Sequence, residues 1–243
     1  EPLPERRKDL CAEVVKSKAH LGIAVDPDVD RLALVCEDGS LFGEEYTLVA
    51  CADHVLAHRP GDTVSNLSST RALDDVAARH GRKRHASAVG EVNVVELMRK
   101  VNAPIGGEGN GGVILGELHH GRDALAGIAL FLTKLSRSGL TASGLRRSYP
   151  DYFISKNKIE LAPGMDVQAI VNTMQERYAR QPHSTVDGLR IEFGREWVHL
   201  RRSNTEPIVR IYAESDAPEK ADALAHRILS EMSEVAGLAR TTR

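Results

Sequence analysis

The sequence predicts an α/β fold: a mixed, mostly parallel sheet with helices on both faces, followed by a small α+β C-terminal domain with an antiparallel sheet. Between residues 63 and 107 short apolar runs alternate with helical stretches, the order of βαβ units that lay strands side by side and helices on the faces. After residue 151 the strands come instead as a hairpin pair and single strands between two helices, an α+β order. The length of 243 residues suffices for one large or two modest domains at roughly 100–200 residues each.

The elements follow in turn. Residues 5–20 have helical spacing at Leu10, Val14 and Val15, and Leu21-Gly-Ile-Ala-Val25 and Leu32-Ala-Leu-Val-Cys36 are short apolar runs suited to buried strands. Asp38-Gly39 signals a tight hairpin turn. Residues 44–58 form a helix through Leu48, Ala52, Val55 and Leu56, stopped by Pro60-Gly61. Then come a strand (63–67), a helix (70–80, capped by Gly81), a strand (83–88), a helix (91–101) and a strand (104–107). Residues 140–151, rich in Ser, Gly and Arg and ending near Pro150, are expected to separate two domains. Beyond them lie a strand (152–161), a helix (166–179), a hairpin (189–193 with 197–201), a strand (207–213) and a final helix (218–235).

Composition narrows the function. Hydrophobic residues are 42% and charged residues 27% of the chain, which excludes disordered, collagen-like and coiled-coil classes. A net charge of −2 gives no global basic field, so neither nucleic acid nor a membrane is an expected partner and any anion site must be local. The longest uncharged apolar stretch, Ala124–Thr133, is about half of the roughly 20 residues that span a bilayer. The first residues show no apolar signal segment, and a cytoplasmic location is the expectation. Cys11, Cys36 and Cys51, odd in number and without CxxC spacing, read as reduced core residues.

Three constellations carry chemistry. In Asp26-Pro-Asp28-Val-Asp30-Arg31, carboxylates at i, i+2 and i+4 of an extended loop point the same way, and an all-oxygen set suits a hard cation such as Mg²⁺ or Ca²⁺. An EF-hand is rejected, because its loop needs Gly at the sixth position, held here by Arg31, and helices on both sides. In Gly106-Gly-Glu-Gly-Asn-Gly-Gly112 the backbone can approach a ligand closely, while Glu108 and Asn110 can hydrogen-bond vicinal hydroxyls. Gly107, Gly109 and Gly112 also fit GxGxxG, but strand-like Val113-Ile-Leu115 follows where a dinucleotide fold needs a helix. In Arg201-Arg-Ser-Asn-Thr-Glu-Pro-Ile-Val-Arg210, Ser203, Asn204 and Thr205 supply donors in a turn, and Arg201 and Arg210 can fork onto oxyanions, the makings of a phosphate cradle. Each motif taken alone also reads as an ordinary solvated turn. Among lesser candidates, Ser68–Arg71 reads as a helix cap, His119 and Arg122 follow the glycine loop closely enough to reach a ligand, and Trp197 reads as packing.

In this order and spacing, DPDVDR, GGEGNGG and RRSNTEPIVR resemble the α-D-phosphohexomutase superfamily of phosphoglucomutases, phosphomannomutases and phosphoglucosamine mutases, over nearly the whole chain. The resemblance implies that Asp26, Asp28 and Asp30 hold Mg²⁺ with Arg31 as a catalytic group beside the transferring phosphoryl. It implies that Glu108 and Asn110 grip the hexose, and that Arg201, Ser203, Asn204, Thr205 and Arg210 anchor the phosphate that is not being transferred. The expected partners are a hexose phosphate and a hexose bisphosphate. The glycine loop ends Asn110-Gly-Gly112 where many relatives have Ser-Gly-His, and no Ser here is followed by His-Asn, so the phosphoserine that carries the phosphoryl group is expected in missing N-terminal domains. By the same resemblance residues 1–41 are the tail of domain 2 with the metal loop, 42–150 the sugar-binding domain 3, and 151–243 the phosphate-binding domain 4. A non-catalytic sugar-phosphate-binding module is the alternative.

Overall fold

Helix α1 (Lys8–Ser17) leads into an antiparallel pair, β1 (Leu21–Val25) with β2 (Leu32–Cys36), in a computed structural model that describes residues 8–160, 166–203 and 208–235. All five residues of β2 are buried. Gly39, at φ 83°, turns the chain out of β2, donating its N–H to the Cys36 carbonyl at 2.9 Å. The part of the expected first helix that precedes Lys8 lies outside the described residues.

Helix α2 (Glu44–His58) is buried at ten positions, far more than a single amphipathic stripe, because it is sandwiched between a sheet and two further helices. That sheet runs β4-β3-β5-β6, with β3 (Thr63–Asn66) parallel to β4 (Arg84–Ser87) and to β5 (Ile105–Glu108), and β6 (Gly112–Leu115) antiparallel to β5. Helix α3 (Ala72–Arg79) carries the chain from β3 to β4, and α4 (Glu91–Val101) carries it back across to β5. Right-handed crossovers in opposite directions put α3 and α4 on opposite faces. Successive glycines of β5 mark the two faces: a Cβ on Gly106 would lie 2.5 Å from Met98 Sδ of α4, and one on Gly107 3.2 Å from Leu48 Cδ1 of α2. Reversal of direction at β3 makes the carboxyl ends of β3 and β5 a topological switch point, where open α/β sheets bind ligands.

The expected helix 70–80 begins two residues later, with the Thr70 hydroxyl accepting from Ala72 N–H at 3.2 Å. Gly81 ends it in a left-handed turn, Gly81 N–H to Ala78 O and Arg82 N–H to Ala77 O, the paired bonds of a Schellman motif.

Two helices are absent from the sequence expectations. Helix α5 (Ala124–Ser138) starts at an Asp123 cap that accepts from Ala126 N–H at 2.9 Å and ends at Gly139 in the left-handed region. Its apolar run suggests only a stretch too short for a membrane, although the Asp and Gly at its ends are legible caps. Small residues let it pack closely: a Cβ on Gly127 would meet Leu32 of β2 at 3.3 Å, and Phe131 packs edge-on to Phe42 at 4.8 Å between centroids. The stretch 140–151 contains helix α6 (Ala142–Arg147), capped by Thr141, where an irregular connection was expected.

The chain divides into two units, Glu1–Pro150 and Asp151–Arg243. The second holds an antiparallel sheet ordered β7-β11-β10-β9-β8: β7 (Phe153–Glu160), β8 (His183–Ser184), β9 (Leu189–Phe193), β10 (Glu196–Arg202) and β11 (Ile208–Ser215). Helices α7 (Val167–Arg177) and α8 (Pro218–Val235) bury Met174, Leu224 and Ile228 against Leu189, Ile191, Val198, Leu200, Val209 and Ile211. The two-residue β8 has no apolar run to announce it.

Candidate functional site

Asp26, Asp28 and Asp30 sit in the connection between β1 and β2, and the backbone there is a tight turn rather than the expected extended loop. Val29 N–H bonds to the Asp26 carbonyl at 3.0 Å, and Val29 adopts φ 57°, a left-handed conformation unusual for a β-branched residue. Asp26 organises the turn: its Oδ1 accepts from the N–H groups of Asp30 at 3.1 Å and Arg31 at 3.0 Å. Even so, one carboxylate oxygen from each aspartate lies within 4.8 Å of the others. Arg31 Nε is 3.8 Å from both Asp26 Oδ2 and Asp30 Oδ1.

The glycine loop lies against this turn. Leu32 N–H donates to Gly111 O at 3.1 Å, and a Cβ on Gly111 (φ 87°) would sit 2.3 Å from Leu32 O, so only glycine permits the approach. A Cβ on Gly109 would meet the Glu45 carboxylate at 2.0 Å. Asn110 accepts from Gly112 N–H at 3.1 Å. Glu108 does not ride on a free loop as expected: it ends β5, is 4% exposed, and takes Asn66 Nδ2 at 2.7 Å and Gly90 N–H at 3.1 Å on Oε1 and Arg122 Nη1 at 3.0 Å on Oε2. A carboxylate oxygen accepts two hydrogen bonds, so Oε2 keeps capacity for a hydroxyl.

Arg122 joins the two loops. Its guanidinium contacts Asp30 of the acidic turn, Glu108 of the glycine loop and Glu91 at the start of α4, the last at 3.3 Å. The Arg122 backbone N–H also donates to Glu91 Oε1 at 2.8 Å. A Cβ on Gly112 would collide with Arg122 Cδ at 2.4 Å, which gives that glycine a packing reason. Of the sequence candidates, therefore, Asp26, Asp28, Asp30, Arg31, Glu108 and Asn110 share one region at the carboxyl ends of β3 and β5. Arg122 is only a lesser candidate in the sequence, and Glu91 and Asn66 carry no signal there, because one looks like a helix-start acid and the other like an ordinary residue near a strand's end.

Electrostatics favour a cation here. Five carboxylates, those of Asp26, Asp28, Asp30, Glu91 and Glu108, surround the two guanidiniums of Arg31 and Arg122. Burial and the neighbouring aspartates push the Asp30 carboxyl up against the pull of Arg122. For Asp26, burial pushes upward, but hydrogen bonds from the Arg31 and Asp30 amides hold the carboxyl below its ordinary value. Among the described residues, Asp30 Oδ1 is buried without a hydrogen-bond partner. An all-oxygen donor set with one orphaned carboxylate oxygen fits a hard divalent ion such as Mg²⁺.

In the second unit Arg201 and Arg210 face each other as direct cross-strand partners on β10 and β11. Arg201 Nε is 3.8 Å from Asp187 Oδ2. Ser203 is buried, and its N–H bonds to Ile208 O at 2.9 Å, closing the connection between the strands. Asn204 and Thr205 lie outside the described residues. The lesser candidates settle into supporting places: His119 pairs with Asp123 at 2.9 Å, and Trp197 is fully buried, donating to Glu214 at 2.6 Å under the Arg190 guanidinium. Cys36 and Cys51 are buried, Cys11 half-buried, and all three are free thiols. No helix among the described residues is long and apolar enough to cross a membrane.

Comparison with known proteins gives two family matches: residues 43–152 match the phosphoglucomutase/phosphomannomutase alpha/beta/alpha domain III, and residues 158–231 match the phosphoglucomutase/phosphomannomutase C-terminal domain. A protein of Methanopyrus kandleri described as a "Probable phosphoglucosamine mutase" is 33% identical over 92% of this chain and 50% of its own length. A phosphoglucomutase/phosphomannomutase of Thermococcus kodakarensis is 34% identical over 91% of this chain and 49% of its own. The chain thus spans about half the length of the curated relatives it matches. Among solved structures, a phosphoglucomutase/phosphomannomutase family protein from Burkholderia thailandensis superposes with a TM-score of 0.83 at 24% identity, covering 96% of this chain and 50% of that one. An Aspergillus fumigatus N-acetylphosphoglucosamine mutase, solved with GlcNAc-6P and magnesium, superposes with a TM-score of 0.63 at 17% identity, covering 88% of this chain and 48% of that one. At these identities the two structures establish the shared fold.

Proposed function

We propose, since the chain belongs to the phosphoglucomutase/phosphomannomutase family, that it supplies the metal, sugar and phosphate loops of a Mg²⁺-dependent phosphohexomutase interconverting hexose 1-phosphate and 6-phosphate. The observation that carries this reading is the bridge from Arg122 to both Asp30 and Glu108. It makes one site of the acidic turn and the glycine loop.

In this reading Asp26, Asp28 and Asp30 hold Mg²⁺, which when bound neutralises charge on the phosphoryl oxygens. Arg31 adds a cation beside the transferring group. Glu108 and Asn110 orient the hexose through its hydroxyls, with Arg122 holding the Glu108 carboxylate in place. Arg201, Ser203, Asn204, Thr205 and Arg210 anchor the second phosphate. Such chemistry rests on positioning and charge stabilisation more than on proton transfer, which suits a site of carboxylates, arginines and hydrogen-bonding loops. The phosphoserine that passes its phosphoryl group through a bisphosphate intermediate, domain 1 and most of domain 2 belong to length that the relatives have beyond this match, with residues 1–41 as the tail of domain 2, 42–150 as domain 3 and 151–243 as domain 4. A cytoplasmic location follows from the sugar-phosphate chemistry and agrees with the free thiols.

Calorimetric titration tests the reading with glucose 1,6-bisphosphate and, separately, with Mn²⁺ in place of Mg²⁺. Arg201→Ala is expected to abolish bisphosphate binding, and Asp28→Asn to weaken Mn²⁺ binding about tenfold or more. Bisphosphate binding indifferent to Arg201, or cation binding indifferent to Asp28, would overturn it.

A further inference from the structure

The antiparallel sheet of the second unit has one face covered by α7 and α8 and, among the described residues, one face without a helix. Leu189, Ile191, Val198, Leu200, Val209 and Ile211 take the covered face. Side chains alternate along a strand, so Arg190, His199, Arg201, Arg210 and Tyr212 take the other. Residues directly opposite one another share a face, and the register runs Lys158 on β7, Arg210 on β11, Arg201 on β10. Three cations therefore stand in one row across three neighbouring strands. Like charges placed directly opposite are destabilising, and an anion seated on the row relieves that repulsion.

Asp187 approaches the Arg201 end of the row at 3.8 Å. At the other end Lys158 is exposed and engages in no ion pair among the described residues, while Glu160, the next residue of β7 on that face, stands opposite Ile208. Beside the row is a pocket of about 190 Å³ lined by Lys156, Asn157, Lys158, Ile208, Arg210 and Tyr212. At roughly 30 Å³ per water, it holds a phosphate group with several waters. Ile208 is also the residue whose carbonyl receives Ser203 N–H, so a residue lining the pocket is hydrogen-bonded to Ser203.

We propose that Lys158 is a further phosphate-binding residue of this site, placing its ammonium beside Arg210 and Arg201 on the same anionic group. The inference rests on the phosphate-loop reading above and extends it by a residue 43 positions before Arg201, on a different strand. Lysine suits the role as a point charge on a long stem that reaches a phosphate without needing a fixed fork. Lysines on an exposed edge strand also discourage strand pairing, a role that leaves phosphate affinity untouched.

Amide NMR titration of the chain with inorganic phosphate and with glucose 1,6-bisphosphate separates the outcomes. Saturable shifts are expected at Arg201, Ser203 and Arg210. Lys158→Ala is expected to raise Kd about tenfold for both probes, and Lys158→Arg to stay within about threefold of the unaltered chain. Lys158 is exposed, so the spectra of these variants should otherwise superpose. A Kd unchanged in Lys158→Ala, with Arg201→Ala still losing binding, would overturn the assignment of Lys158 and leave the phosphate loop standing. No saturable shift at Arg201, Ser203 or Arg210 would overturn both.

Discussion

Ser143 holds the Glu37 carboxylate from two sides, its hydroxyl donating to Oε1 at 2.5 Å and its backbone N–H to Oε2 at 3.1 Å, across a separation of 106 residues. The turn that leaves β2 is thereby fastened to α6. Tyr46 adds a second tie, donating its hydroxyl to Pro150 O at 2.8 Å. The end of the first unit is thus anchored to the strand that follows the acidic turn and to the first turn of α2.

Burial pushes the Glu37 carboxyl up, but the two Ser143 bonds and a further one from Thr141 outweigh it and bring the group to about 2. A carboxyl lowered by folding stabilises at pH values above its unfolded pKa and loses that contribution as pH falls toward 2. Ser143→Ala is expected to cost about 1–2 kcal/mol at pH 7 and progressively less below pH 4. Urea unfolding at several pH values would show the difference; a cost constant down to pH 2.5 would contradict the assignment.

Arg122 is the only guanidinium touching Asp30, Glu91 and Glu108 together among the described residues. Removing it leaves Glu108 buried without its cation, and breaking a buried pair from one side costs about 3 kcal/mol. Arg122→Met is expected to lower the unfolding midpoint of the first unit accordingly and to weaken Mn²⁺ affinity by displacing Asp30. A variant as stable as the parent would show that Glu108 does not depend on this cation.

Two glycines with positive φ should respond unequally to alanine. Gly111 would drive its Cβ into the Leu32 carbonyl, whereas a Cβ on Gly81 would meet nothing within 4 Å among the described residues. Gly81→Ala is expected to cost about 1 kcal/mol, the strain of the backbone alone, and Gly111→Ala about 3 kcal/mol. Equal costs in thermal unfolding would mean that the glycine loop and β2 are not tightly opposed.

Acid should unfold the second unit through His199. The ring is 1% exposed and lies 2.6 Å from the Asp187 carbonyl; burial pushes its pKa down to about 4, against the upward pull of that carbonyl. Folding thus favours the neutral ring, so its stability is intact above pH 6.5 and is lost as pH falls from there to 4. The loss at pH 5 is expected to be about 2 kcal/mol. Calorimetric scans at pH 7 and pH 5 would measure it, and His199→Gln should flatten the dependence.

The sequence alone determined most of the elements and all three motifs, because strand runs, helix periods and clustered carboxylates, glycines and arginines are local properties of the chain. Leu32–Cys36 is legible as a buried strand because its apolar run is short and has charged residues at both ends. The local pattern misses α5, whose first ten residues read as one uncharged apolar run, and it makes the acidic turn look extended because nothing local announces a left-handed Val29. Only the tertiary structure decided that Arg122 would bind Asp30 and Glu108, that Glu108 would be buried among donors from Asn66 and Gly90, and that Lys158 would line up with Arg210 and Arg201. Those relationships arise from crossover direction and strand register, which bring together residues far apart in the chain, and no local pattern encodes a partner at that distance.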